Sequence, residues 1–229
     1  MKKKNIWEGT SINKRMDLYM DRLAKFYPKN GKNIEIGCGE GYFMERLREK
    51  GVNSLGIETD DSERKRAIDR GFKVLNHDAN TRLPFQDSSF DTITMISIFE
   101  HIKNKKTLVS EIRRILKKGG LCIIQIPNPY FPLDLHYQLP FWGYLPKRLS
   151  EIYVSLLVPK DYSIYYYVSK TTPLDVRKYF KDLELIYFKK NNFNKKDVPT
   201  RFQKYYSIYH LLRLDSLLPM GFIMVYKKR

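Results

Sequence analysis

Asn33-Ile34-Glu35-Ile36-Gly37-Cys38-Gly39-Glu40-Gly41 is the stretch on which the reading of this chain turns. A short run of strand character enters a tight turn with glycine at alternate positions, and Phe43, Met44 and Leu47 then recur at helical spacing until Gly51. Glycines in such a turn let backbone pass against a ligand where any side chain would collide. The helix that follows aims its free N–H groups into the same space.

Working outward, the same alternation repeats. Asn53 to Ile57 reads as a second strand, and Asp60-Asp61-Ser62-Glu63 as the start of a helix that stops at Gly71, with Asp60 and Glu63 spaced as in a capping box. Phe72 to Leu75 is a third strand and Phe90 to Ile96 a fourth. A helix is predicted from Asn104 to Lys118, closed by Gly119-Gly120, and Leu121 to Ile126 is a nearly all-apolar fifth strand, as expected of a strand covered on both faces. Regular alternation of strand and helix predicts an α/β fold, a parallel sheet with helices on both sides.

The flanks differ. Thr10 to Tyr27 reads as an amphipathic helix with Ile12, Met16, Tyr19, Met20, Leu23 and Phe26 on its apolar face. After the fifth strand comes a long aromatic connection, in which Pro127, Pro129, Pro132, Pro140 and Pro146 are interleaved with tyrosine, phenylalanine and tryptophan. Further helices are predicted over Lys147–Leu157 and Thr172–Tyr179, strands over Leu183–Phe188 and Phe222–Tyr226, and a tyrosine-rich stretch over Tyr162–Tyr167. Arg201 to Leu218 carries Tyr205, Ile208, Tyr209, Leu211 and Leu212 as an apolar face beside basic residues; it packs on the domain or lies on an anionic membrane surface.

In a parallel sheet, ligands bind at the C-terminal edge of the strands. Four signals of this sequence fall there: the glycine turn; Glu58, placed to accept hydrogen bonds from ribose hydroxyls; His77-Asp78-Ala79, able to meet a purine; and Met95-Ile96-Ser97, the floor of a pocket.

Together these residues resemble the core of class I methyltransferases that use S-adenosylmethionine, and in particular the group containing the ubiquinone-biosynthesis O-methyltransferases. The resemblance runs from Asn33 to Asn128. It includes Leu55-Gly56-Ile57-Glu58, Leu83-Pro84-Phe85, Ser89-Phe90-Asp91, Phe99-Glu100-His101-Ile102 and Arg114-Ile115-Leu116-Lys117-Lys118-Gly119-Gly120. A nicotinamide dinucleotide is disfavoured, because Tyr42 stands where its fingerprint has a third glycine. The resemblance implies a Rossmann-like three-layer sandwich, with a seven-stranded sheet of order 3-2-1-4-5-7-6 and only strand seven antiparallel. It implies S-adenosylmethionine held by Glu35, Gly37, Gly39, Gly41, Glu58, Asp78, Ala79 and Ile96.

For the acceptor side, two histidines are candidate general bases: His101 after the fourth strand, and His136 in the aromatic connection. Some relatives hold a divalent metal through Glu-x-x-Glu-His; Ser97 replaces the first carboxylate here, so no metal is expected. The organisation is read as one domain: a helical segment over 1–32, the cofactor-binding core over 33–128, an aromatic acceptor-side insertion over 129–170, and sheet completion with a helical insertion over 171–229.

The chain has 229 residues and a formal charge of +17, with 17 Lys and Arg against 8 Asp and Glu from Pro129 onward, so the excess is spread along it. Such a surface attracts nucleic acid, nucleotide-linked sugars or anionic lipid headgroups, or is merely solvated. No stretch approaches the ~20 apolar residues of a membrane span. The N-terminus has no signal-peptide pattern, and Cys38 and Cys122 make no disulfide framework, which suggests a cytoplasmic setting. The expected activity is methyl transfer to a hydroxyl oxygen of a small molecule: a glycan, a nucleotide-linked sugar, or a lipid or quinone precursor, anionic or lipid-linked. An RNA methyltransferase and a non-catalytic sensor or scaffold are the competing readings.

Overall fold

In the computed structural model, the backbone is described for residues 12–134, 136–137, 139–158, 168–192 and 200–229. The side chains of 12–13, 200–202 and 205 are outside the described set, as are Leu135, Gln138 and the predicted stretch Tyr162–Tyr167.

Seven strands form one sheet: β1 (Lys32–Ile36), β2 (Asn53–Ile57), β3 (Lys73–Leu75), β4 (Phe90–Ile96), β5 (Leu116–Pro127), β6 (Glu184–Asn191) and β7 (Gly221–Lys227). Their order is β3-β2-β1-β4-β5-β7-β6, as the resemblance implied. The strands β1 to β5 pair in parallel, and β7 lies antiparallel to both β5 and β6. The order reverses between β1 and β4, which opens the crevice above their C-terminal ends.

The helices are α1 (Ile12–Leu23), α2 (Tyr42–Glu49), α3 (Asp61–Asp69), α4 (Lys105–Ile115), α5 (Lys147–Leu157), α6 (Pro173–Tyr179), α7 (Thr200–Leu211) and α8 (Leu214–Leu217). One face of the sheet packs against α1 and α2 through Met16, Tyr19, Met20, Leu23, Phe43 and Leu47. The other packs against α4 and α6 through Leu108, Ile112, Val176 and Phe180. A buried polar chain ties the central strands: Asn33 Nδ2 donates to Ser54 Oγ at 2.7 Å, Thr94 Oγ1 donates to Asn33 Oδ1 at 2.9 Å, and Tyr27 Oη lies 2.9 Å from Thr94 Oγ1. Because Asn33 and Thr94 are thus satisfied, they can sit inside an otherwise apolar layer.

Several details differ from the sequence expectation. The helix expected to reach Lys118 stops at Ile115, and β5 starts at once. Leu116 pairs with Phe90, and Lys117 Nζ lies 2.8 Å from both Asp91 carboxylate oxygens, so cross-strand contacts overrule the helical tendency of Leu-Lys-Lys. Gly119, at φ 75°, sits in a strand irregularity between the Phe90 and Thr92 pairs and does not cap a helix. The stretch Arg201–Leu218 is not one helix, since Arg213 at φ 53° breaks it into α7 and α8. Finally, Asp60 caps α3 by accepting from Glu63 N, but its own N–H goes to Glu58 Oε1, so only half of the capping box forms.

Candidate functional site

The glycine turn has the conformation its composition anticipates. Gly37, Gly39 and Gly41 have φ of 69°, 52° and 78°, which L side chains adopt only at a cost. Sterics reinforce this at Gly37, where a Cβ would fall 2.4 Å from Ile98 Cγ1. Gly37 N and Cys38 N both donate to Ile57 O, at 2.8 and 3.1 Å, which hangs the turn from the end of β2.

Glu58, just past β2, reaches back across the crevice. Its Oε2 accepts from Gly39 N at 2.9 Å, while Oε1 accepts from Thr59 N and Asp60 N at 2.8 and 2.9 Å. A cleft of about 390 Å³ opens beside the turn, lined among others by Arg15, Tyr19, Glu35, Gly37, Gly39, Glu63, Ile96, His101 and His136. The fold therefore brings Glu35, Gly37, Gly39, Ile96, His101 and His136 to one cleft. Gly41, Glu58, Asp78 and Ala79 are not among its lining residues. Gly41 forms the N-terminal cap of α2, and a Cβ there would meet Phe72. Asp78 turns inward on its own loop, where Oδ1 accepts from Asn80 N and Nδ2 at 2.8 Å; Ala79 is buried behind it. Asn80 Oδ1 in turn accepts from Lys103 N and Asn104 N, at 2.8 and 2.9 Å, so this loop is braced against the one that follows β4.

Carboxylates crowd the glycine turn. Glu35 is 2% exposed with Oε2 lacking any hydrogen-bond partner, and burial, reinforced by the Glu58 charge, pushes its pKa well up. Glu63, in the first turn of α3, is raised to about 7 by burial and then by Glu58, Asp60 and Glu40. Sequence reading missed Glu63 because α3 capping accounts for an acid at that position; only the turn of the chain over Gly39 puts it in the cleft.

On the acceptor side, Phe99–His101 forms one turn of 3₁₀ helix after β4. It is held by Ser169, whose N and Oγ both donate to Glu100 O at 2.9 and 2.8 Å. Asn104, not His101, caps α4. The rings of His101 and His136 meet edge to face, with centroids 4.9 Å apart. Glu100, 1% exposed, lies beside both: its Oε1 is 3.4 Å from His136 Nε2 and 3.9 Å from His101 Nε2. The buried carboxylate of Asp134 accepts from the His136 and Tyr137 amides at 3.0 and 2.5 Å and stands 3.6 Å from His136 Nδ1. Burial works against charge on His136, but the Asp134 and Glu100 carboxylates outweigh it and lift its pKa to about 9. Near neutrality His136 is thus an imidazolium, an electrostatic partner and not a base. Glu100, His101 and His136 also bring one ligand atom each within 4.8 Å of one another, a set able to hold a metal ion.

The cleft suits an adenosine that bears a charged sulfur: positive-φ glycines leave room for close approach, and a cationic ligand would favour the ionised forms of the Glu35 and Glu63 carboxyls that line it. Among the described residues, no helix is long and apolar enough to cross a membrane.

Residues 34–124 match a family described as methyltransferase domain. An uncharacterized protein of Methanocaldococcus jannaschii is 34% identical over 107 residues, 47% of this chain and 49% of that one. The mitochondrial ubiquinone biosynthesis O-methyltransferase of Dictyostelium discoideum is 24% identical over 186 residues, 72% of this chain and 54% of that one. A crystal structure of a SAM-dependent methyltransferase from Archaeoglobus fulgidus superposes with a TM-score of 0.63 at 17% identity, over 94% of each chain, a likeness of fold. The chain spans about half the length of the curated relatives it matches. The family's cofactor is S-adenosylmethionine.

Proposed function

We propose that this chain, whose residues 34–124 place it with the methyltransferase-domain family, methylates a hydroxyl oxygen of a small acceptor. The observation that carries this reading is the meeting of His101 and His136 on the wall of the cleft that Gly37 and Gly39 also line. S-adenosylmethionine, when bound, supplies an electrophilic methyl group.

The chain's own groups do the rest. Gly37 and Gly39 admit the cofactor closely, Gly41 lets the turn enter α2 against Phe72, and Glu58 keeps lone pairs for ribose hydroxyls beyond those given to the turn. Ile96 forms the floor, and the purine contact is assigned to Asp78 and the Ala79 amide, which requires their loop to turn from its Asn80 contacts toward the cleft. His101 accepts the acceptor's hydroxyl proton. The His136 imidazolium, held by Asp134 and Glu100, steadies negative charge that develops on that oxygen. We assign no metal to this cluster: a ligating imidazole must be neutral, and the Asp134 and Glu100 carboxylates favour the charged form of His136.

Of the acceptor classes, a lipid or quinone precursor is favoured by the surface beside the insertion. The inner side of α5 packs on Leu139, Trp142 and Val158, yet Leu149, Ile152 and Leu156 stand 52%, 54% and 75% exposed on its outer side. Nearby Phe141 is 60% exposed at a φ of 57°, an unfavourable conformation for a bulky residue left in water. Such aliphatic and aromatic groups on a basic protein suit peripheral contact with an anionic membrane. The test is incubation with labelled S-adenosylmethionine and fractionated cell extract. Label in the lipid fraction supports the reading, and label in glycan moves the acceptor class. Label in RNA or protein overturns the small-molecule assignment, and a chain that binds the cofactor yet produces no S-adenosylhomocysteine with any fraction is a sensor or scaffold.

A further inference from the structure

Asn80 joins two loops through one side chain. Its backbone N and its Nδ2 both donate to Asp78 Oδ1 at 2.8 Å, while its Oδ1 accepts from Lys103 N and Asn104 N at 2.8 and 2.9 Å. Asn104 opens α4, its own Oδ1 accepting from Thr107 N at 3.3 Å. The loop that carries His101 is thereby held on both sides. Ser169 Oγ holds it before the histidine, through Glu100 O, and Asn80 holds it after, through the Lys103 and Asn104 amides. Amide resonance keeps a carboxamide planar, so the bond from Nδ2 to Asp78 also fixes where Oδ1 points.

The purine contact makes a demand on this arrangement. Asp78 can meet a purine amino group only if its carboxylate leaves Asn80. Its carbonyl stays behind with Thr81, whose N and Oγ1 lie at 3.0 and 2.8 Å. Once Nδ2 has lost that acceptor, the carboxamide is free to turn, and its hold on the Lys103 and Asn104 amides slackens. We infer that Asn80 is a positioning residue that couples occupancy of the purine site to the His101 loop. The loop is braced in the free chain and released when the cofactor binds. This rests on the cofactor reading above and adds an order to it, since a loop freed by the cofactor adapts to the acceptor second. By reciprocity, the brace must weaken the cofactor by the factor that the cofactor weakens the brace.

Hydrogen exchange resolved to single amides tests this on the full chain, with and without S-adenosylhomocysteine. In the wild type the ligand should speed exchange at Lys103 and Asn104 about 2- to 10-fold, the worth of one hydrogen bond. In Asn80→Ala both amides should exchange fast whether or not ligand is present. Calorimetry should show that variant binding S-adenosylhomocysteine more tightly, by the same factor. Asn80→Asp separates the two ends, because its carboxylate accepts both amides yet repels Asp78; exchange at Lys103 and Asn104 should then stay slow in both states. Unchanged or slowed exchange at these amides when the wild type binds would overturn the inference. An Asn80→Asp chain that answers the ligand as the wild type does would overturn it too. Weaker binding by Asn80→Ala, with a lowered unfolding midpoint, would give Asn80 a structural role only and remove the coupling. A wild-type chain that binds no S-adenosylhomocysteine would remove the cofactor reading itself, a failure distinct from that of Asn80.

Discussion

Glu58 and Gly39 are joined across the mouth of the crevice by a 2.9 Å hydrogen bond, the Gly39 amide donating to Glu58 Oε2. One carboxylate thus shapes the glycine turn, and the proposed ribose contact would use its remaining lone pairs. Glu58→Ala should weaken S-adenosylhomocysteine by about 1–3 kcal/mol, through loss of charge-assisted hydrogen bonds and of the ordering of Gly39. Calorimetry that returns wild-type affinity would refute the ribose assignment.

A methyl group at Gly37 should be worse tolerated than one at Gly51. Both have positive φ, but a Cβ at Gly37 runs into Ile98 while nothing lies within 4 Å of Gly51. Gly37→Ala should cost about 1–3 kcal/mol more than Gly51→Ala in denaturant unfolding, with cofactor binding lost as well. Equal effects at the two sites would show that the turn can yield.

Cofactor binding should be linked to the protonation of Glu63. Its pKa of about 7 reflects burial and the neighbouring carboxylates, which together outweigh the opposing charge of Arg66. A cationic ligand favours the ionised form and so lowers that pKa. Below pH 7 binding must then expel a proton, and affinity should fall as pH drops through 7 toward 5. Calorimetry in buffers of different ionisation heat should detect the proton released, and Glu63→Gln should abolish the release. A release unchanged in that variant would point to Glu35 instead.

The two histidines should separate by their pH profiles. His101→Gln should lower kcat by about 10²–10⁴ and remove the acidic limb, because the base is gone. His136→Asn should lower kcat less and leave that limb in place, since His136 serves as a cation. Identical profiles for the two variants would show that they do not divide the work this way.

Chelation should leave activity intact. Dialysis against EDTA followed by assay should give wild-type rates, and added zinc should not stimulate. Loss on chelation with recovery on adding metal would convert Glu100, His101 and His136 from a proton-handling group into a ligand set.

Much of the core was legible because its signals are local. The strands Asn53–Ile57 and Phe90–Ile96 and the helix Lys147–Leu157 lie where their sequence patterns end, since hydrophobic period and turn chemistry act over a few residues. Thr172 and Asp175 exchange both bonds of a capping box, a contact that four neighbouring residues supply alone. The start of β5 was not legible, because Leu116 and Lys117 look helical until Phe90 and Asp91 are beside them.

The amino-acid order by itself therefore determined the alternating strands and helices, the glycine turn and the acids at the strand ends, each a matter of short-range sterics and periodicity. Only the tertiary structure decided that His136 of the insertion meets His101, that Glu63 leans over Gly39, and that Arg15 of α1 reaches the same cleft. Those meetings join residues far apart in the chain. They depend on how helices settle across a finished sheet, and no local preference encodes that distance.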